Sequence, residues 1–388
     1  MLIFLLAIIS WFAGHLGALH AAPYIPDHGS MVLETLHFSG DSRFQQLRQW
    51  RQQLSQNPEN LPLAIRLANR YLTLGHTEAD PRFDGYARAA LLPWWGKAKP
   101  PSEVLLIRAT LQQREHKFDE ALQDLKQVLA RQPSHPQAWL TQSVIQQVRG
   151  LYPEARQSCW PLLELVNSLV STSCVANISS LNGQAQDSYE ALRKSYAQNP
   201  SATSEEQLWA LTILAETAAR IGNPVQAEKH FQQALTLKPN DTYLLGAYGD
   251  FLLDHNRATD VLALLQENIR PDGLLLRVTL AAQQLQSPQL NKYIDMLSTR
   301  FTDSRRRGDA RHLREEARFT LHLLQEPQKA FRMAQENWSV QREPWDVRVF
   351  LEAGLLSGNT SAAQPVLDWL KAMKLEDQQI RRLMEQFS

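Results

Sequence analysis

A small residue recurs along this chain at a nearly fixed interval, always seven residues ahead of a turn-former. Ala68, Ala109, Ser143, Ala176, Ala215 and Gly249 are followed by Gly75, His116, Gly150, Gly183, Gly222 and Asn256. From Ala109 to Gly249 the steps are 34, 33, 39 and 34 residues. A second small position follows at Ala121, Ala155, Ser188, Ala227 and Val261, and Pro133, Pro200 and Pro239 close units. The unit from Leu208 to Pro239 shows the pattern in full. Leu211, Leu214, Ala215 and Ala218 fall at helical spacing, Gly222 ends that helix, and Pro224 opens a second with Ala227, Phe231 and Ala234 on one stripe. Two helices of about a dozen residues and their turns fill such a period. One pair cannot bury both of its faces, so neighbours must stack. The expected class is all-α.

This order of features (small residue, turn glycine, small residue with an aromatic, closing proline) resembles the tetratricopeptide repeat, TPR. Tyr71, Phe118 and Trp139 supply large residues where that family uses aromatics. The resemblance implies a right-handed superhelical solenoid of about eight or nine helix pairs. Residues 61–272 are expected to hold six units, and 273–388 degenerate units closed by a capping helix. The degenerate helices are expected at 274–286 and 289–300, 312–324 and 328–337, then 345–356 and 362–371, with the cap at 376–387. Pro161 is expected to break the second helix of its unit. A helix within 42–60 carries Phe44, Leu47, Trp50 and Leu54 on one stripe.

In this family the first helices line a concave face whose exposed residues choose the ligand. Here those positions are Thr110, Gln113, Val144, Gln147, Thr212, Glu216 and Asp250, a polar to mildly acidic surface. The natural occupant is an extended peptide or a partner's helix. The family's carboxylate-gripping Lys and Asn are not matched, since Leu106, Thr110, Leu140 and Val144 stand there.

The front of the chain reads as a targeting signal. Leu2 to Phe12 is almost wholly apolar, Gly14 and His15 interrupt it, and Ala18 to Ala22 leads into Pro23. Residues 1–22 are expected to be a cleaved signal peptide and 23–41 an extended leader, placing the protein in the periplasm or outside the cell. The first Lys or Arg is Arg43, which leaves an uncleaved membrane anchor as the alternative. Cys159 and Cys174, the two cysteines, have two readings. In an oxidising space they close a loop of about 15 residues, worth about 3 kcal/mol in the chain-entropy model; otherwise they are buried thiols.

Lys plus Arg equals Asp plus Glu at 40 each, so no net field draws nucleic acid or anionic lipid. No H-E-x-x-H, Cys/His zinc spacing, G-x-S-x-G elbow or phosphate-binding glycine loop occurs. No cofactor, metal or catalytic residue is therefore expected. Glu315 and Glu316 lie at helical spacing from Arg311, Arg314 and Arg318, as on a salt-bridged surface. Arg305, Arg306 and Arg307 read as a solvated loop.

Two stretches exceed what the repeat needs. One runs from Asp80 to Trp95 with Arg82, Tyr86, Trp94 and Trp95; the other, from Gly308 to Pro344, holds His312, Arg314, Glu315 and Trp338. Both resemble signature stretches of a group of exported bacterial TPR proteins, a resemblance that implies no activity. Trp, Tyr and Arg carry interface energy, so the stretches are candidate partner-binding patches. The other reading is structural, with Trp94 and Trp95 plugging a helix junction and Arg82 bonding a buried carboxylate. The expected function is a non-catalytic interaction scaffold or assembly factor of the cell envelope with a protein partner. The alternative is a glycan- or cell-wall-associated enzyme or accessory, which a deep cleft with converging carboxylates of perturbed pKa would favour.

Overall fold

The computed structural model describes residues 42–77, 80–307 and 313–387. The expected signal peptide, the leader and His312 lie outside them. The described residues fall into two units, one ending at Gln52 and the other beginning at Gln53. Helix α1 (Ser42–Gln56) begins in the first, and Leu47 is buried there.

Every element among the described residues is helical, and from Leu61 onward the helices come in nine pairs. The first is α2 (Leu61–Thr77) with α3 (Arg82–Ala90), followed by the single turn α4 (Leu92–Trp95). Next are α5 (Ser102–Arg114) with α6 (Phe118–Arg131), and α7 (Pro136–Val148) with α8 (Tyr152–Cys159) and the short α9 (Leu162–Leu165). Then come α10 (Ser168–Ser179) with α11 (Ala185–Gln198), α12 (Ser204–Arg220) with α13 (Pro224–Leu237), and α14 (Thr242–Asp254) with α15 (Ala258–Leu265). The last three are α16 (Asp272–Gln284) with α17 (Leu290–Arg306), α18 (Leu313–His322) with α19 (Pro327–Trp338), and α20 (Pro344–Leu356) with α21 (Gln364–Met373). Helix α22 (Gln378–Met384) follows.

Local chemistry sets these boundaries. At α12 a capping box pairs the Thr203 side chain with the Glu206 amide and the Glu206 side chain with the Thr203 amide. Pro224 occupies the first turn of α13, where its missing N–H has no helical partner to lose, and Asn223 caps it. Pro161 separates α8 from α9 as expected. Arg305 and Arg306 form the last turn of α17 instead of a loop, a correction with a physical cause: cations there oppose the negative end of the helix dipole, and Arg305 pairs with Glu316 at 3.2 Å.

From the second pair onward the turns between paired helices repeat one conformation, whereas Gly75, expected to end the first helix of its unit, lies inside α2 without positive φ. His116, Gly150, Gly183, Gly222 and Asn256 all have positive φ, between 57° and 80°, at the positions the repeat predicts. Gln286, Gln325 and Gly358 take the same role in the later pairs.

Within residues 53–388 the pairs wind far enough for one turn of the superhelix to touch the next. Arg270 donates to Asp80 at 3.1 Å, Asn182 to the carbonyl of Met373 at 2.7 Å, and the Ala185 amide to Glu376 at 2.6 Å. These contacts span 190, 191 and 191 residues. The Arg342 amide donates to the Val148 carbonyl at 2.7 Å. Apolar contact accompanies them: Trp369, Met373 and Leu375 pack on the core around Tyr152 and Cys159, and Val340 packs on that around Leu105 and Ile145.

Candidate functional site

The first helices α7, α10, α12, α14, α16, α18 and α20 all turn residues toward one hollow of about 490 Å³. Val144, Leu181, Trp209 and Ile213 give it apolar wall, and Asp377, Gln379 and Ile380 reach it from the start of α22. Because the superhelix meets itself, the concave face closes on itself into a half-open hollow.

Charged groups crowd one part of this wall, and they are bonded to one another. Asp250 on α14 accepts from Arg277 of α16 and, at 2.6 Å, from Arg318 of α18. Burial pushes its pKa up, but the two guanidiniums outweigh burial and hold it below the usual value. Arg348 of α20 donates to Asp254 at 2.7 Å and to Glu352 at 2.8 Å. Arg318 and Arg348 both lie over the Trp345 ring, 4.1 and 4.3 Å from its centroid. Arg314 bonds Glu343 at 2.9 Å and Glu315 at 3.2 Å, and stands 3.6 Å from Asp346. The network ties α14, α16, α18 and α20 together.

Two carboxyls of this wall are pushed upward. Burial raises Asp254 despite Arg348, and burial raises Glu216 despite the nearby Arg220. Glu216 accepts a hydrogen bond from the Tyr243 hydroxyl at 2.9 Å. Tyr243 is 59 % exposed, so water reaches the hollow at this point. Behind the wall, burial pushes Asp346 up to about 7, although Asn337 and the Glu343 amide donate to it at 2.8 and 2.7 Å. Among the described residues no group of His, Cys, Asp and Glu could hold a metal ion, and no helix is long and apolar enough to cross a membrane.

A tetratricopeptide repeat family model matches residues 108–159, from the second half of α5 through α6, α7 and α8. The fold is an all-α, TPR-like superhelix. Among solved structures, the chain is similar to the hetero-tetramer Cut9–Hcn1 of the APC/C, at 15% identity and a TM-score of 0.40. That match covers 80% of this chain and 52% of the other, so the chain spans about half of the length it matches. A TPR protein from Parabacteroides merdae is similar at 13% identity and TM-score 0.37, with 75% and 97% covered. A monomeric mutant of IFIT1 with Gppp-AAAA is similar at 15% and 0.43, with 89% and 86% covered. No curated protein sequence matches.

Of the residues expected on the concave face of this TPR-like array, Val144, Gln147, Thr212, Glu216 and Asp250 line the hollow. Thr110 and Gln113 do not; both are half-buried on α5, outside the seven helices that form it. Arg314 and Glu315 also reach the hollow, as ion-paired wall. Trp338 does not: it packs edge-on against Trp369 at 5.1 Å and Phe350 at 6.1 Å, under Arg342.

The Asp80–Trp95 stretch is built into the scaffold. Trp94 is 6 % exposed and offers no contact surface, which corrects its place among partner-binding residues: the short turn α4 holds it buried within the scaffold. Trp95 is half-buried, with Arg88 and Arg108 over its ring at 5.1 and 5.8 Å, and Arg108 is fixed by Asp124. Arg82 bonds the buried Asp80 at 2.6 Å, and that bond, against burial, lowers the Asp80 pKa. Tyr86 is 47 % exposed, with its ring near Tyr71 and Phe83. Cys159 and Cys174 are joined by a disulfide between α8 and α10 with a Cα–Cα distance of 5.8 Å.

Wall residues that sequence reasoning missed include Arg220, Tyr243, Arg277, Trp345 and Arg348, whereas Glu343 stood in the second signature stretch. Arg220 had a readable signal, one helical turn after Glu216. The others after Gly273 had none, because the repeat phase is lost there.

Proposed function

We propose that this protein is a non-catalytic interaction scaffold of the cell envelope that receives a short extended segment of a protein partner in its hollow. The carrying observation is the wall itself: first helices of seven successive pairs converge on one solvent-reached space. Its size selects the occupant. A helix with side chains is about 10–12 Å across, so about 490 Å³ would hold roughly one turn of it. So short a segment makes barely one helical turn, which is not stable by itself, and an extended segment of a few residues is the occupant we propose. Export is part of this proposal, and the Cys159–Cys174 disulfide supports an oxidising compartment.

The second reading is a glycan- or cell-wall-associated enzyme or accessory. The upward-shifted Glu216 and Asp254 favour it, as two carboxyls lining one hollow. Against it stands the commitment of most carboxylates to guanidiniums: Asp250, Asp254, Glu315 and Glu343 each hold an arginine. Groups so held fix helix geometry and are poor proton carriers.

Filling the hollow tests the binding reading. Peptides selected from a random library on the purified protein should lose binding to Ala247→Trp and to Gln147→Trp, which project into the space from two different helices. Equal binding by both variants would show that peptides dock elsewhere.

A further inference from the structure

The charged wall contains one unfinished pair. Glu216 and Arg220 stand four residues apart on α12, and both line the hollow. A glutamate one turn ahead of an arginine is the order that favours an ion pair along a helix. Here no direct hydrogen bond joins them, although Arg220 is near enough to act on the Glu216 charge. Tyr243 of α14 donates to Glu216 at 2.9 Å, and Arg220 Nη2 donates to the hydroxyls of Ser180 at 2.8 Å and Thr217 at 3.2 Å. The Arg220 Nε lies buried with no hydrogen-bond partner. Among the described residues that line the hollow, Arg277, Arg314 and Arg348 each hold a carboxylate, and Asp377 accepts from the amides of Gln379 and Ile380. Glu216 and Arg220 are left with neutral hydroxyls for partners.

An acidic and a basic side chain beside a cavity, each with direct hydrogen bonds only to neutral groups, define a complementary ligand. Four residues of helix set the two positions about 6 Å apart along the axis. In an extended peptide, residues i and i+2 point to the same side about 6.6 Å apart, whereas adjacent residues point to opposite sides. We infer that the hollow selects an extended segment carrying a basic and an acidic side chain two residues apart, the cation bound by Glu216 and Tyr243 and the carboxylate by Arg220. Charge-assisted hydrogen bonds of this kind are stronger than neutral ones and discriminate against uncharged isosteres. The inference rests on the hollow being the binding site and adds the chemistry it reads.

The test uses the full chain and acetylated, amidated pentapeptides titrated by calorimetry at low salt. Ala-Lys-Ala-Glu-Ala should bind about tenfold more tightly than the peptides with Gln in place of Lys or in place of Glu. Glu216→Gln, nearly isosteric, should abolish the preference for Lys and keep that for Glu. Arg220→Gln should do the reverse, and if it fails to fold Glu216→Gln decides. Equal affinity for the three peptides, no binding of any, or an unchanged preference in Glu216→Gln would overturn the inference. Library peptides displaced by Ala247→Trp alongside any of these results would leave the hollow as the site and remove only the charge reading.

Discussion

At the scale of the residue, Asp346 shows how burial sets chemistry. It stands in the first turn of α20, buried, and accepts from Asn337, from Gln341 at 3.3 Å and from the Glu343 amide. All three donors favour the carboxylate, and Arg314 at 3.6 Å adds to them, yet removal from water dominates and lifts the pKa to about 7. An unfolded aspartate titrates near about 3.9. Between those values the folded chain keeps a proton that the unfolded chain releases, so this group's contribution to stability falls as pH rises from about 4 to about 7. Asp346→Asn should therefore show a smaller drop in urea midpoint between pH 5 and pH 8 than the parent. An equal drop in both would place the titrating group elsewhere. Nothing in the sequence distinguishes Asp346 from an exposed helix-start aspartate. Glu216 and Asp250, by contrast, were legible as inward residues because their repeats are in phase with clear alanine and glycine positions. Their partners Tyr243, Arg277 and Arg318 were not, since the reach of a long side chain across three helices has no periodic signature.

At the scale of the element, the turn between paired helices carries more information than its φ. Non-glycine residues adopt the left-handed conformation at His116, Asn256, Gln286 and Gln325, so that conformation does not by itself require glycine here. Glycine stands where the second superhelical turn crosses: a Cβ on Gly150 would lie 2.8 Å from Trp369, one on Gly183 3.1 Å from Lys374, and one on Gly222 against Gln378. Gly358 has positive φ but nothing within 4 Å. Gly358→Ala should cost about 1–2 kcal/mol, the left-handed strain alone. Gly150→Ala adds a clash with an aromatic ring and should cost about 2–4 kcal/mol. Urea denaturation of the two variants reads the difference, and equal losses would mean that Trp369 gives way freely. The turn positions from His116 to Asn256 were readable because the period is local. Gln286 and Gln325 were not, because glutamine is no turn-former and only the packed helices on either side impose the conformation.

At the scale of the whole array, stacking of neighbours follows from sequence, and the meeting of successive turns does not. A 34-residue period tells each helix pair what it packs on next, while a contact 191 residues away depends on the summed rotation of every pair between. That summed rotation converts the expected open face into a hollow. Trp369 is central to the closure, packing on Trp338 at 5.1 Å and Tyr152 at 5.8 Å. In a solenoid, stability is close to a sum of neighbour terms, so a contact between turns should be separable from the contacts between adjacent pairs. Trp369→Ala should therefore speed hydrogen exchange at the Arg342 amide, which donates across the turns to Val148, and at Ala185, which donates to Glu376. Amides in the middle of α13, bonded only within their own helix, should exchange at the parent rate. If α13 accelerates in step with Arg342, the closure and the repeats open together, and the second turn is part of one cooperative unit in place of a separable one.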